Sequence, residues 1–375
     1  MPSISNKYTI LLVGISGDLA ARKILPSIGE IVLQNPDKRF KLVGLSRSNQ
    51  KPEAIFEKLK LEGSVNNFEL ELIQGNYDDH SLFVDIITKS IGEDGTRLFV
   101  YLAIPPLIFL SSIQQFCPYS TLPIDIIVDK PYATSKQDLE KLLALIHGCD
   151  LKINVHFFDH YLLKDNLAVQ NPQIATNIQS ELQDLTPTQI HIQSLEDIDI
   201  ANRFTSYNNT GAIEDMVPHL FSLLLKYNRE YNLKLAFDEL EISEVSIGQY
   251  KAYQDITAEI SKTETYFKIQ FKCQNSSIVF ESGKKQATKI IDSKFFFSNN
   301  QSLQIELYPT LSVSLNNQIL ASDESKQSEH FKLFQNLINR DMSFFLSEEE
   351  IRMEWNLISE IKDFITTHEI TLNIY

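Results

Sequence analysis

The fold is decided by residues 8–20, which read YTILLVGISGDLA. The apolar run Tyr8–Val13 lacks polar alternation, which is typical of a strand buried on both faces of a parallel sheet. Gly14 and Gly17 then make a turn before a helical pattern over Leu19–Leu33. Glycines at such a turn let the backbone approach a pyrophosphate, which the free N–H groups of the helix N-terminus can bind. The stretch therefore predicts a dinucleotide-binding site, with an ordinary strand–helix turn as the simpler alternative.

The rest of the N-terminal part repeats this alternation of strands and helices. An apolar run occurs at Phe40–Leu45, largely apolar strands are predicted at Leu98–Ala103 and Ile124–Val128, and a further strand is predicted at Leu151–Phe158. Helical spacing occurs at Glu53–Leu61 and Lys136–Ile146. Buried strands that alternate with helices imply a parallel sheet with helices on both faces. The sequence therefore predicts an α/β Rossmann domain over residues 1–158, which binds the nucleotide.

The C-terminal part has a different pattern. Apolar and polar residues alternate at Gln189–Ser194, Leu240–Ile247, Thr263–Phe271, Leu303–Leu307 and Leu311–Leu315. Such alternation favours an antiparallel sheet with one solvated face. Helical patterns accompany it at Glu214–Tyr227, Glu329–Ile338 and Glu348–Thr367. We predict an α+β domain over residues 159–375 with a large antiparallel sheet and helices, which binds substrate and forms a homodimer.

The overall charge restricts the classes of partner. The 375 residues include 34 Lys and Arg against 49 Asp and Glu, which gives a formal net charge of −15. A general nucleic-acid binder needs a basic face, so no nucleic-acid partner is predicted. An acidic chain that binds an anionic substrate must instead gather its cations in one place.

Composition also bears on the compartment. The longest apolar stretch, Leu98–Leu110, is interrupted by two prolines and is too short to cross a bilayer, so no membrane partner is predicted. The three cysteines, Cys117, Cys149 and Cys273, are widely spaced, which fits neither a disulfide framework nor a zinc site. We therefore expect no metal and a reducing, cytoplasmic location.

The end of the second strand predicts the cofactor. It reads Leu45-Ser46-Arg47-Ser48, without the acidic residue that usually holds the ribose hydroxyls of NAD. An arginine there accommodates a 2′-phosphate, so Arg47 favours NADP over NAD. The simpler interpretation is that Arg47 is a solvated loop charge.

Two further segments carry candidate chemistry. Residues 159–164 read DHYLLK, and His160, Tyr161 and Lys164 offer donors that could converge on a phosphate. Farther along, Asp215 and His219 are four residues apart and share a helix face. A histidine changes protonation near pH 7, as a general base requires, although a structural role is the more common one for such a residue.

Together these motifs resemble the glucose-6-phosphate dehydrogenase family. The resemblance rests on residues 14–23 (GISGDLAARK), 75–79 (GNYDD), 101–106 (YLAIPP), 129–131 (DKP), 159–164 (DHYLLK), 261–265 (SKTET), 283–284 (GK) and the segment from Asn339 to Trp355. These motifs follow the order of the family over nearly the whole chain.

The resemblance implies an NADP-dependent oxidation of a hexose 6-phosphate, most simply glucose 6-phosphate to 6-phosphogluconolactone. It implies that His219 is the base, that Asp159 orients it, and that Lys130 lies between nicotinamide and sugar, next to a cis bond to Pro131. The implied substrate contacts are His160, Tyr161, Lys164, Asn208, Lys284 and Lys23. The implied cofactor contacts are Gly14, Ser16, Gly17, Asp18, Leu19, Arg47, Ala103, Pro105 and Lys130.

The chain also departs from the family's pattern. His219 follows Asp215 by one residue fewer than in the family, and one residue rotates a helical side chain by about 100°. Asn208 and Asp129 stand where the family usually has a sugar-binding carboxylate and a glutamate, and Glu281 stands where it usually has arginine. Two alternatives therefore stay open: an oxidoreductase of another sugar phosphate or ring position, and a catalytically silent nucleotide-binding relative with a regulatory role.

Overall fold

The computed structural model describes residues 6–61, 65–91, 96–119, 124–149, 153–164, 167, 171–183, 185–200, 204–253, 261–324 and 327–375. The chain divides into two compact units. The first unit contains Met1–Leu163 and Gln327–Glu348, and the second contains Lys164–Lys326 and Glu349–Tyr375.

The strands are, in chain order, β1 (Lys7–Val13), β2 (Arg39–Ser46), β3 (Phe68–Gln74), β4 (Thr96–Leu102), β5 (Ile124–Asp129), β6 (Ile153–Phe158), β7 (Pro187–Leu195), β8 (Leu240–Gln249), β9 (Tyr266–Cys273), β10 (Ser276–Gly283), β11 (Ile290–Phe297), β12 (Ser302–Tyr308), β13 (Leu311–Leu315), β14 (Gln318–Asp323) and β15 (Leu372–Ile374).

The helices are, in chain order, α1 (Leu25–Gln34), α2 (Pro52–Leu59), α3 (His80–Ile91), α4 (Phe109–Gln114), α5 (Lys136–Gly148), α6 (Pro172–Leu182), α7 (Phe204–Tyr231), α8 (Glu329–Asn339) and α9 (Glu348–Thr367). A π-helical segment, Ala20–Ile24, leads directly into α1.

The first unit is built on a six-stranded parallel sheet in the order β3-β2-β1-β4-β5-β6. Strand β1 lies at the centre, and Val13 at its end is paired with Leu45 of β2 and with Leu102 of β4. This order reverses direction between β1 and β4, which is the switch point where parallel sheets of this type bind ligands. The predicted Rossmann fold is confirmed. Of the predicted strand Leu151–Phe158, the first two residues lie outside the described part of the chain.

Helix α8 belongs to the core of the first unit, although it follows the second unit's strands in the sequence. Its buried residues Phe331, Phe334 and Leu337 pack with the apolar core around β1 and α1. The domain predicted from the sequence over residues 159–375 includes this segment. The predicted division at residues 158/159 itself lies close to the end of the first long stretch of this unit, at Leu163.

The second unit is built on a nine-stranded sheet in the order β14-β13-β12-β11-β7-β10-β9-β8-β15. Most neighbours are antiparallel, as predicted, but β10 pairs with β7 and β15 pairs with β8 in parallel. Burial alternates along β9, where Phe267, Ile269 and Phe271 are buried. Helix α7 contacts strands β7, β9 and β10, so the alternation reflects a sheet with one face covered by helix.

Two of the three cysteines are bonded, which corrects the expectation from their spacing. Cys117 and Cys149 form a disulfide with a Cα–Cα distance of 5.0 Å, while Cys273 is a buried free thiol. The pairing was hidden in the sequence because the two residues are 32 positions apart and meet only where α4 packs on α5. In the described part of the chain, every helix is too short or too polar to cross a membrane.

Candidate functional site

The turn after β1 brings backbone groups of three strands together. Gly14 has φ = 93°, and a Cβ at this position would overlap the carbonyl oxygen of Ala103. The Gly14 N–H donates to the Leu45 carbonyl at 2.8 Å, and the Ala103 N–H donates to the Val13 carbonyl at 2.9 Å. Glycine is thus required at residue 14 by both conformation and space.

The same turn leaves an open surface for a dinucleotide. Ser16 and Asp18 are exposed and Gly17 is half-buried. The Gly17 N–H donates to the Gly14 carbonyl at 2.9 Å, and the helical path begins directly afterwards. Small residues before a helix N-terminus fit a pyrophosphate, because its charge can approach the backbone N–H groups. Leu19 is 36% exposed, and Asp18 forms an ion pair with Arg22.

Arg47 follows the end of β2 and lies on an aromatic ring. Its guanidinium carbon is 5.6 Å from the centre of the Tyr77 ring, and Arg47 itself is exposed. Such a cation–π contact orients the guanidinium without occupying its N–H groups. Tyr77 is not among the site residues predicted from the sequence. Its position in the 75–79 motif, just after β3, is the signal that could have found it.

Two of the predicted cofactor contacts, Ala103 and Pro105, follow β4 in the first unit. Ala103 is half-buried against the Gly14 turn, and Pro105 is exposed. Lys23 is exposed in the π-helical segment that follows the turn. The predicted contacts of these residues with cofactor or substrate stay predictions.

A buried ion pair forms where β5 and β6 end. The Lys130 Nζ lies 2.7 Å from the Asp159 Oδ2, and the two side chains are 5% and 0% exposed. The other oxygen of Asp159 accepts the Tyr161 N–H at 2.9 Å. The Lys130–Pro131 bond is cis, which confirms that prediction. Adjacent parallel strands end at one edge, so the sequence order places both charges together.

The short helix His160–Leu163 presents the next two predicted residues. The rings of His160 and Tyr161 meet edge to face with their centres 5.1 Å apart. Tyr161 is 5% exposed, whereas His160 is half-buried. Lys164, the first residue of the second unit, is also half-buried.

In the second unit, Lys284 is held by acidic groups. Its Nζ forms an ion pair with Glu196 and lies 3.9 Å from the Asp215 Oδ2 and 5.9 Å from the centre of the Tyr207 ring. Lys284 is 4% exposed. Burial, followed by the charges of Asp215 and Glu264, raises the pKa of Tyr207 well above its ordinary value. Glu196 and Tyr207 are not among the predicted site residues, because they lie in separate segments without a motif.

Asn208 is fixed through its side-chain oxygen. The Oδ1 accepts hydrogen bonds from the hydroxyls of Ser261 at 2.7 Å, Tyr253 at 3.0 Å and Thr263 at 3.1 Å. Thr263 also donates to the Asn208 backbone carbonyl at 2.9 Å. Because the acceptor oxygen of Asn208 is engaged, its NH₂ group can donate a hydrogen bond to an incoming sugar hydroxyl. The carboxylate that the family usually has at this position could only accept one.

His219 lies on the part of α7 that follows a break at Gly211, where φ is 70° and ψ is −178°. The Glu264 carboxylate accepts the Ile213 N–H at 3.0 Å and so caps this part of the helix. Burial raises the pKa of Glu264. His219 is 6% exposed, and Asp215 stands one turn before it. Its predicted role as a base partnered by Asp159 stays a prediction.

Comparison with known proteins gives a family match over the first part of the chain. Residues 11–171 match the family model described as "Glucose-6-phosphate dehydrogenase, NAD binding domain". The first part of the chain is therefore similar to the nucleotide-binding domain of the glucose-6-phosphate dehydrogenase family. The resemblance found in the sequence is therefore confirmed.

Named members of the glucose-6-phosphate dehydrogenase family resemble the chain beyond the matched domain. The cytoplasmic glucose-6-phosphate 1-dehydrogenase 5 of Arabidopsis thaliana is 23% identical over 358 residues, which cover 79% of this chain and 67% of the plant protein. The glucose-6-phosphate 1-dehydrogenase of Borreliella burgdorferi is 22% identical over 333 residues, which cover 84% of this chain and 66% of the bacterial protein. The chain thus spans about two thirds of the length of these relatives.

A solved glucose-6-phosphate dehydrogenase in complex with glucose 6-phosphate has the same fold. The superposition gives a TM-score of 0.79 at 20% identity and covers 100% of this chain and 95% of that chain. The family match itself contains the Gly14 turn, Arg47, Lys130 and the 159–164 segment, but it ends before Asn208 and His219. The strongest relation to glucose-6-phosphate dehydrogenase therefore concerns the nucleotide-binding end.

One departure from the glucose-6-phosphate dehydrogenase pattern has a structural reason. Glu281 accepts hydrogen bonds from the His191 Nε2 at 3.1 Å and from the Tyr266 hydroxyl at 2.8 Å, and it lies 3.6 Å from the Lys268 Nζ. The hydrogen bond from His191 is the main cause that lowers the pKa of Glu281 to about 2. This carboxylate therefore ties together the neighbouring strands β7, β9 and β10.

Proposed function

We propose that the protein is an NADP-dependent dehydrogenase that oxidises glucose 6-phosphate to 6-phosphogluconolactone in the cytoplasm. The observation that carries the proposal is the buried Lys130–Asp159 ion pair, which lies at the same sheet edge as the Gly14 turn. Binding grooves of parallel sheets open at the carboxyl ends of the strands. Burying two charges is costly, so a chemical use for them is favoured over a purely structural one.

The reaction divides between cofactor and protein. Bound NADP⁺ supplies the hydride acceptor. We assign His219 as the base that removes the proton from the anomeric hydroxyl, while the C1 hydrogen leaves as hydride and the C1–O bond becomes a carbonyl. Asp159 would stabilise the imidazolium that results. This assignment follows the family motif.

Within the first unit, Lys130 is suited to hold reactants in place. Its side-chain ammonium is held by Asp159, and its backbone N–H is 3.3 Å from the Phe158 carbonyl oxygen. The position of both the side-chain end and the backbone of Lys130 is therefore fixed. A fixed ammonium can orient a hydroxyl and a nicotinamide carboxamide without reorganising during the reaction. His160, Tyr161 and Lys164 are proposed to bind the 6-phosphate, with Lys23 and Lys284 as further cationic contacts.

A second candidate function is oxidation of a different sugar phosphate or ring position. The observation that favours it is the environment of Asn208, whose oxygen is engaged by three hydroxyls. An amide that presents a donor selects sugar hydroxyls that accept, whereas a carboxylate selects those that donate. The same proposed cofactor and phosphate contacts would serve either reaction.

The test is turnover with NADP⁺ and a panel of hexose and pentose phosphates, followed by nicotinamide absorbance. His219→Asn and Lys130→Ala are compared with Lys136→Ala, which removes an exposed lysine of α5. Oxidation of glucose 6-phosphate that is lost in the first two variants supports the proposal. Turnover of another sugar phosphate alone supports the second candidate, and NADP binding without any turnover supports the silent relative. Sedimentation velocity tests the homodimer.

A further inference from the structure

A buried polar cluster lies beside Lys130 within the first unit. It consists of Tyr101 on β4, Asp129 at the end of β5 and His330 on α8. Their exposed fractions are 0%, 7% and 3%. None of these residues is among the predicted substrate or cofactor contacts, so direct ligand binding does not explain why these polar groups are buried.

The hydrogen bonds give the cluster a direction. The Tyr101 hydroxyl donates to the Asp129 Oδ2 at 2.9 Å. Its oxygen can then accept from the His330 Nε2, which is 3.1 Å away, while that nitrogen is 3.7 Å from the Asp129 Oδ2. The His330 Nδ1 is buried and has no hydrogen-bond partner among the described residues. Burying a nitrogen without a hydrogen-bond partner costs free energy, and an apolar side chain would avoid that cost. We therefore attribute the presence of a histidine to its Nε2 contact with Tyr101.

The cluster ends at Lys130. The second oxygen of Asp129 accepts the Lys130 N–H at 2.9 Å. The next peptide bond is the cis bond to Pro131, and the Lys130 Nζ binds Asp159. One carboxylate therefore connects Tyr101 with the backbone that sets the direction of the Lys130 side chain. Burial, together with the charge and hydrogen bond of Asp129, raises the pKa of Tyr101 well above its ordinary value, so Tyr101 stays a donor.

We propose that His330 is a positioning residue: through Tyr101 and Asp129 it fixes the backbone of Lys130, and thereby the ammonium proposed to hold nicotinamide and sugar. The inference rests on the proposed function only for its kinetic consequence. The arrangement itself can be observed without turnover.

Helix α8 is held in the first unit by contacts other than His330. Ser328 caps its N-terminus and is hydrogen-bonded to Ser27 at 2.6 Å, and the Lys332 Nζ donates to the Leu163 carbonyl at 3.1 Å. Phe334, one turn after His330, also contacts the Tyr101 ring, with ring centres 6.4 Å apart. Replacing His330 should therefore leave the helix in place. Phe334→Leu is a control that loosens the packing of the Tyr101 ring without removing a polar group of the cluster.

The kinetic test compares His330→Leu, His330→Gln and Phe334→Leu. Because small displacements of a positioning group are costly, we expect kcat of His330→Leu to fall by about tenfold to a hundredfold. The KM for the sugar phosphate should stay near the wild-type value, since the phosphate contacts are not part of the cluster. Gln, whose amide can donate from a similar position, should restore most of kcat, and Phe334→Leu should retain it.

A double variant separates positioning from general loosening. In the Lys130→Ala background, His330→Leu should cost almost nothing further, because residues that act through one group are not additive. Multiplicative losses would overturn the proposal, as would a Phe334→Leu loss equal to that of His330→Leu at the same melting temperature.

A spectroscopic arm remains if no sugar phosphate is oxidised, which would contradict the proposed function alone. In protein labelled with ¹³C,¹⁵N-lysine, the Lys130 side-chain signal is assigned by its loss in Lys130→Ala. It should shift in His330→Leu, return towards wild type in His330→Gln and stay unchanged in Phe334→Leu. A Lys130 signal that is identical in all three variants would overturn the positioning role.

Discussion

At the scale of residues, the predicted cations differ in how they are partnered. Lys130 is paired with Asp159 and Lys284 with Glu196, so the charge of each is largely compensated within its own unit. Arg47 is exposed, forms no ion pair among the described residues, and lies against the Tyr77 ring. A guanidinium oriented in this way keeps its fork of donors for a phosphate.

The choice of cofactor should therefore depend on Arg47. Arg47→Gln should raise the KM for NADP⁺ by about tenfold or more, because a charge-assisted bidentate contact is lost, and should change the KM for NAD⁺ little. Initial rates over a range of both cofactors measure the two constants. Lys51→Gln, at an exposed lysine nearby, is the control. Equal losses for both cofactors would contradict the assignment of NADP to this residue.

Glu281 should make stability depend on acid. Its pKa is lowered from 4.5 to about 2 in the folded protein, mainly by the hydrogen bond from His191. A lowered pKa gives stability that is present above the unfolded value and is lost as pH falls from about 5 towards 2. Glu281→Gln should weaken this part of the pH dependence in melting temperatures measured between pH 7 and pH 3. The hypothesis fails if both proteins lose stability in parallel over that range.

At the scale of elements, α7 is two helical pieces joined at a glycine. The backbone at Gly211 takes a positive φ, and the Glu264 carboxylate occupies the space where a Cβ would stand. The second piece starts under this cap and carries Asp215 and His219. The orientation of the His219 side chain therefore depends on three features: the break at Gly211, the cap by Glu264 in the segment before β9, and the position of His219 along the helix.

Gly211→Ala should accordingly damage both folding and turnover. A side chain there is strained by the positive φ and collides with Glu264, which should lower the stability of the second unit by about 1–3 kcal/mol. Calorimetric melting and kcat measure the two effects. Gly148→Ala is the matched control, because a Cβ at Gly148 meets nothing within 4 Å. A Gly211→Ala protein that melts and turns over like wild type would show that the break is not required.

The Cys117–Cys149 disulfide joins the segments after α4 and α5 across a separation of 32 residues. Reduction should lower the stability of the first unit by about 2–4 kcal/mol, because the unfolded chain gains freedom. Melting curves with and without dithiothreitol measure this. The sensitivity should persist in Cys273→Ala and disappear in Cys117→Ala/Cys149→Ala, and a reductant effect in the latter would point to another cause.

Much of the fold could be predicted from the sequence, because the pattern of apolar and polar residues within a short segment indicates which of its faces are buried. The largely apolar runs of β1 and β5 and the alternation in β9 each identify the environment of the strand. Strand β3 was missed because its residues are mostly half-exposed at the sheet edge. The apolar face of α8 was visible, but an apolar face does not specify which core it joins.

The candidate site divides in the same way. Gly14, Arg47 and Lys130 follow strand ends, so the topology of a parallel sheet predicts their neighbourhood. Glu196 and Tyr207 could not be assigned, because their proximity to Lys284 depends on a loop and a helix from distant parts of the chain. His330 was missed because a histidine on an amphipathic helix is usually a core residue.

At the scale of the whole molecule, the two units are not consecutive in the sequence. The chain leaves the first unit at Leu163, returns to it at Gln327 and leaves it again after Glu348. The return supplies Phe331, Phe334 and Leu337 to the first core and His330 to its polar cluster. Each unit is therefore made of two separate stretches of the chain, and a single boundary in the sequence does not separate the units.

A protein truncated after Lys164 should therefore be unstable. It lacks the α8 side chains that cover the core around β1, and exposure of that much apolar surface should abolish cooperative unfolding or lower the melting temperature sharply. Circular dichroism during heating measures the loss. Joining residues 327–348 to the truncated protein through a glycine–serine linker should restore a cooperative transition. A truncated protein that melts like the full chain would contradict the role of α8.

The return of α8 also changes the order in which the two units can complete their folding during synthesis. Domains generally fold as units from the N-terminus while the chain emerges from the ribosome. Here the nucleotide-binding unit is the first to begin and cannot be completed until residue 348 has been made, after all of β7–β14. The apolar core around β1 therefore stays incompletely covered until α8 has been synthesised. We expect a chaperone that binds this exposed core during translation to raise the yield of folded protein.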